Sequence, residues 1–161
     1  MIHITKIPAV VLELNHIKYD LVPAYISEFL FSSTICIPDS DTKWMDTDPE
    51  GFGKKLSEKN KNNNYLIRPT IRLMKAWNAK AGYPITSYEL EQEIVNDFYV
   101  FPSTLEDYFF NVIESLSSDR STTIAERKIN GLKENAGKVK EALDDDNEKK
   151  ALTWLAHILP I

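Results

Sequence analysis

The feature that most limits the fold of this chain is a change of hydrophobic period at Asp48-Pro49. Before it, apolar residues alternate or run in short β-branched stretches, as in "AVVLEL" between Pro8 and Leu14. After it they recur three and four apart, as Ile67, Ile71, Met74 and Trp77/Asn78 do. A pleated strand matches the first pattern and an amphipathic helix the second. The chain therefore reads as α+β: a small antiparallel β part over residues 1–47, followed by an α-helical bundle over residues 48–161. With 161 residues, 43% of them hydrophobic, it is long enough to bury a real core.

Within the β part, Pro8 to Leu14 is a strand and Asn15-His16 a two-residue connection. The returning strand begins at Ile17. In it Ile17, Tyr19 and Leu21 point one way, Lys18, Asp20 and Val22 the other. Pro23 lacks a backbone donor and should end the ladder or confine it to an edge. Asp is depleted in strands, so Asp20 marks either an exposed face or a metal ligand on a rigid strand. Tyr25 to Leu30 reads as a short helical turn or covering segment. Ser33 to Pro38 and Thr42 to Met45 read as short strands around the turn Asp39-Ser40-Asp41. His3 and His16 have no partner at ligand spacing and read as surface groups.

In the helical part, Asp48 caps a helix that Pro49 opens and that runs to about Lys61. Asn62-Asn63-Asn64 is a breaker and a possible cap. The next helix spans about Leu66 to Ala81, with Pro69 confined to its first turns and Gly82 closing it. Thr86-Ser87-Tyr88-Glu89 is a capping-box signature before a helix that should bury Leu90, Ile94 and Phe98. Ser103-Thr104-Leu105-Glu106 repeats it before Phe109, Val112, Ile113 and Leu116. Ser121 to Leu143 is a polar helix, "DDDNEKK" a solvated connection or helix start, and Ala151 to Leu159 a final apolar helix. Trp44 reads as an anchor between the two halves, Trp77 and Trp154 as core.

Composition excludes several classes. The net charge of −5 argues against strong nucleic-acid binding, which needs a basic field. The single cysteine, Cys36, excludes an internal disulfide and a cysteine zinc cluster. No apolar run approaches the roughly 20 residues that span a bilayer, and the N-terminus lacks a signal-peptide plan, so a cytoplasmic protein is expected.

Four blocks in order, "IKYDLVPA", "KWMDTDP", "LIRPTIRLMKAWN" and "SYELEQEI", resemble the cGAS/DncV-like nucleotidyltransferases. These are cyclic-oligonucleotide synthases related to cyclic GMP-AMP synthase and 2′-5′-oligoadenylate synthetase. The resemblance covers about Pro8 to Phe98, and beyond that it is a loose likeness of helix pattern. It implies nucleoside triphosphate substrates, Mg²⁺ or Mn²⁺, two-metal nucleotidyl transfer and a role in anti-phage signalling. Asp20 matches the family's third metal-binding carboxylate, and the β part becomes a remnant of the nucleotidyltransferase palm. The family's first two carboxylates follow a Gly-Ser loop that cradles the triphosphate. Before Asp20 this chain has one acid, Glu13, and no glycine. The resemblance therefore implies a truncated or partial enzyme, inactive alone, that needs the N-terminal catalytic segment or a partner protein.

The same resemblance gives Lys75 as the lysine that reaches the donor triphosphate, Ser87 as a phosphate contact and Tyr88 as the aromatic that stacks on the base. Each has a plainer role by position. Lys75 borders the apolar face and can lay its stem over the core. Ser87 sits at a helix start, where capping and phosphate binding are compatible. Tyr88 can pack as a neighbour of the cap. Arg68 and Arg72 flank the same helix as solvated charges. If the nucleotide reading holds, Asp20, Lys75 and Ser87 face one cleft with Tyr88 at its wall. The competing readings are a non-catalytic nucleotide- or protein-binding module and a purely structural helical domain.

Overall fold

The computed structural model describes residues 2–4, 9–14, 17–29, 32–40, 43–99, 102–119 and 122–161. The architecture is α+β, with two small antiparallel sheets ahead of six helices. The chain divides into two compact units, Met1–Lys54 and Lys55–Ile161.

The first unit holds both sheets. β1 (Ile2–Ile4), β2 (Val10–Leu14) and β3 (Ile17–Leu21) form one in that order. Leu14 opposite Ile17 leaves the two expected connecting residues between them, and those, like His3's side chain, lie outside the described residues. β3 ends at Leu21, two residues before Pro23. The expected contrast between its faces does not appear: Tyr19 and Leu21 are about half exposed, and Asp20 is exposed too. Val22 lies beyond the strand.

β4 (Tyr25–Phe29), β5 (Ser32–Ser40) and β6 (Lys43–Thr47) form the second sheet. The helical turn expected at Tyr25–Leu30 is instead β4, paired in register from Tyr25 opposite Cys36 to Phe29 opposite Ser32. Aromatic and branched residues suit a pleated surface, and β5 supplies partners for its backbone. At Asp39 and Ser40 the expected turn is instead strand, because β5 continues to Ser40 through an irregularity at Pro38/Ser40, and Asp41 lies outside the described residues. Pro38 lies beyond the reach of β4, so its missing donor breaks no ladder on that side. The Cys36 thiol is buried and donates to Asp46 Oδ1 at 3.3 Å. Trp44 is half exposed and packs edge to face on Tyr25, with ring centroids 4.8 Å apart.

α1 (Pro49–Asn62) starts as the sequence indicates, its Gly51 N–H donating to Asp48 Oδ1 at 2.8 Å. A Cβ at Gly51 would lie 1.9 Å from the other carboxylate oxygen, so this cap geometry depends on glycine. α2 (Ile67–Lys80) places Pro69 in its first turn. Its cap comes from α1 and not from the asparagine run: buried Asn60 accepts from the Arg68 N–H at 3.0 Å. α3 (Ser87–Asn96), α4 (Leu105–Ser115), α5 (Thr123–Asp144) and α6 (Glu148–Ile158) complete the second unit. The cap of α4 is Thr104 with Asp107, one residue later than expected, and both halves of its capping box are made. Phe98 falls past the end of α3 and is 82% exposed; Val95 takes the expected buried place.

The core of this unit contains Ile67, Ile71, Met74 and Trp77 from α2, Leu90 and Ile94 from α3, and Phe109, Val112 and Ile113 from α4. Each such side chain contributes about 1.5–3 kcal/mol on leaving water. Trp154 is not core: it is half buried, with the Lys138 ammonium 4.4 Å above its ring. Among the described residues, no helix is long and apolar enough to cross a membrane.

Candidate functional site

The candidate nucleotide-contacting residues of the helical unit lie on α2 and the first turns of α3, and the link between these helices fixes their spacing. Ala81 to Thr86 makes this connection. Gly82 adopts φ +86°, a conformation only glycine reaches without strain. Its N–H donates to Ala79 O at 3.1 Å and that of Tyr83 to Asn78 O at 2.7 Å, the paired bonds of a Schellman motif. Asn78 is fully buried. Its amide nitrogen donates to Ile85 O at 2.7 Å, and its amide oxygen accepts from Ile85 N at 3.2 Å. This clamp holds the chain entering α3 against α2. Thr86 then caps α3, accepting from Glu89 N at 3.2 Å.

Lys75 lies on the rim of the α2 core stripe and is partly exposed. Its ammonium forms an ion pair with Glu91 of α3. Glu91 is one helical turn beyond Ser87 and three residues beyond Tyr88, so all three share a face of α3. The structure therefore brings Lys75, Ser87 and Tyr88 to one edge of the α2–α3 pair. Ser87 is exposed at the first helical position, and Tyr88 is 47% exposed. The positive end of the α3 dipole lies at the same edge. Arg72 is exposed on α2, while an Arg68 guanidinium nitrogen donates to Ser57 Oγ at 3.2 Å.

Asp20 belongs to the first unit. It sits on the edge strand β3, opposite Val11 and flanked by Tyr19 and Leu21. Among the described residues, no group of three His, Cys, Asp or Glu side chains is placed to hold a metal ion. Asp20 by itself supplies one carboxylate, and a two-metal centre needs several oxygen ligands around each ion, so further ligands would have to join it.

Glu91 is the residue that sequence reasoning missed. Its position four residues after Ser87 was readable, but that α3 turns this face towards Lys75 was not. Asn78 was recognised by its spacing, but its role as a polar clamp was not.

A cavity of about 550 Å³ in this unit is apolar and lies elsewhere, among Leu73, Phe109, Val139, Leu152 and Leu155; Lys75, Ser87 and Tyr88 do not line it.

No family model matches the chain. The chain is 35% identical over 83 residues to a protein of Bacillus cereus (strain VD146) named probable cyclic nucleotide synthase, an alignment that covers 50% of this chain and 25% of that protein. The chain thus matches about a quarter of the length of this curated relative.

Proposed function

We propose that this chain is part of a nucleotidyltransferase of the cyclic-oligonucleotide synthase type, acting on nucleoside triphosphates. The observation that carries this reading is the 35% identity to a probable cyclic nucleotide synthase. The edge formed by Lys75, Ser87 and Tyr88 supports it, because a cation, a hydroxyl at a helix start and an exposed aromatic ring suit a phosphate and a base. On this reading Lys75 leaves Glu91 for the donor triphosphate, Ser87 contacts a phosphate oxygen and Tyr88 stacks on the base.

Turnover needs more than this chain's donors. In the complete catalytic unit Asp20 would supply one carboxylate to Mg²⁺ or Mn²⁺. The remaining ligands and the phosphate-cradling loop would come from a further segment or a partner protein. The site of action is the cytoplasm, in anti-phage signalling. The exposed apolar side chains of the first unit, Leu14, Ile17, Tyr19 and Ile26 among them, suit a β part that packs against further structure.

The pure 161-residue chain is expected to form no cyclic or linear oligonucleotide from the four triphosphates with Mg²⁺ or Mn²⁺, as chromatography of the products would read. A product that disappears on Asp20→Asn would overturn the inactive-alone reading. The donor set around Asp20 also favours a second reading, a non-catalytic nucleotide-binding module. Combination with a segment that carries a Gly-Ser loop and two further carboxylates separates the two: restored synthesis that depends on Asp20 supports the split enzyme, and binding without synthesis supports the module.

A further inference from the structure

On another face of the helical unit, α2, α5 and α6 enclose a hollow of about 300 Å³. Its walls carry Lys80, Arg127, Lys128, Asn135 and His157, with Gly131 between them. Among the described residues no Asp or Glu lines it, although the chain as a whole has a net charge of −5. The cations come from two helices, so the concentration of charge is a product of the fold. Arg127, Lys128, Gly131 and Asn135 fall on one stripe of α5 at helical spacing. Buried Trp77 and Ile158 close the floor, which gives the basic wall an apolar base.

The state of each polar group matters. Lys80 is held in place by two carbonyls at the end of α6, Ala156 O and Leu159 O, the latter at 2.9 Å. The Arg127 Nε–H donates to Thr123 O at 3.3 Å, which leaves the terminal nitrogens of its guanidinium to point elsewhere. Among the described residues Lys128 has no ion-pair partner. His157 Nδ1 donates to Thr153 O at 2.9 Å, which leaves Nε2 of the neutral ring an acceptor, and its ring packs on Trp154 at 5.3 Å. Glu134, which adjoins Asn135 in sequence, is engaged by Lys138 at 2.5 Å. The hollow therefore offers donors without a resident counter-charge.

Gly131 shapes the hollow. Glycine inside a helix is unfavourable relative to alanine. Close packing does not require it here, since a Cβ at Gly131 would meet nothing within 4 Å. Its effect is to leave the middle of the basic wall open.

We infer that this hollow binds a small phosphorylated ligand of about nucleoside-monophosphate size, at a site separate from the Lys75 edge. Arg127 and Lys128 hold the phosphate, with the Asn135 amide at its border. A polyanion is disfavoured, because the net negative charge of the chain repels an extended phosphate backbone outside the hollow.

Titration of the full chain with AMP, inorganic phosphate and adenosine, followed by amide NMR shifts, tests this. AMP should shift Arg127, Lys128, Gly131 and Asn135, phosphate should shift the same residues more weakly, and adenosine should leave them in place. The double variant Arg127→Gln/Lys128→Gln should weaken AMP binding at least about tenfold, the order expected for loss of charge-assisted contacts. Gly131→Leu, which fills the hollow from a helical position, should do the same. Lys75→Ala should leave these shifts intact, so failure of the Lys75 reading does not remove this one. AMP at roughly 20 mM, well above the millimolar range expected of a single phosphate site, with no shift on this stripe would overturn the inference. So would shifts that survive both folded variants, or RNA binding much tighter than AMP binding on the same residues.

Discussion

The two units of this molecule handle burial in opposite ways. In the helical unit each of α2, α3 and α4 gives a continuous apolar stripe to one core, and Ile67, Met74 and Leu90 are completely hidden. In the β unit the buried residues among those described are Ala9, Cys36 and Pro38, while Tyr19, Leu21, Ile26 and Trp44 are about half exposed or more. Two three-stranded sheets built mostly of five-residue strands have little area with which to bury their side chains. The lesson is that sheet patterning specifies pairing without guaranteeing a core, whereas the helical stripes here specify both.

The largest expected effect sharpens that contrast directly. Met74→Ala should cost the full chain about 2–5 kcal/mol in urea unfolding, because it leaves a cavity in a closed core. Tyr19→Ala, from a half-exposed strand, should cost under about 1 kcal/mol. Equal costs would break the comparison.

A middle-sized effect is expected at Asn78. Replacement by Ala leaves the Ile85 N–H and C=O buried without their partners and should cost about 1–3 kcal/mol. Because Asn78 holds the entry to α3, the amide signals of Ser87 and Tyr88 should move as well. Unchanged signals there would show that the clamp does not position this edge.

The smallest effect concerns acid. The Asp107 carboxylate accepts from the Ser103 and Thr104 backbone, and these bonds lower its pKa from the ordinary 3.8 to about 2. The folded value is the lower one, so this stabilisation is present above pH 3.8 and is lost as pH falls from there towards 2. Asp107→Asn should flatten the stability profile across that window, as thermal unfolding at stepped pH would show. An unchanged slope would contradict the capping account.

Much of this was legible in the sequence, for physical reasons that differ by element. The α2 stripe, Pro69 and Gly82 were readable because helical period, proline geometry and positive φ are local constraints. β4 was not, since Tyr25–Phe29 is too short for periodicity to separate strand from turn, and its partner β5 settles it. Phe98 was misplaced because α3 ends at Asn96, a boundary that spacing alone does not fix. At the candidate site, Lys75, Ser87 and Tyr88 were found by resemblance, and their common edge follows from the turn between α2 and α3. The ion pair with Glu91 required knowledge of how the two helices face each other. So did the basic hollow, whose residues lie in three separated stretches of sequence.

Titration of the full chain with ATP, read by amide NMR shifts, tests the nucleotide reading most directly. One phosphate contact and one stacked base imply roughly millimolar affinity after association costs. The account predicts shifts at Lys75, Ser87 and Tyr88 that Lys75→Ala abolishes. Saturating ATP with no shift at those three residues would contradict it, and would leave the α2–α3 edge as an ion pair and a helix cap alone.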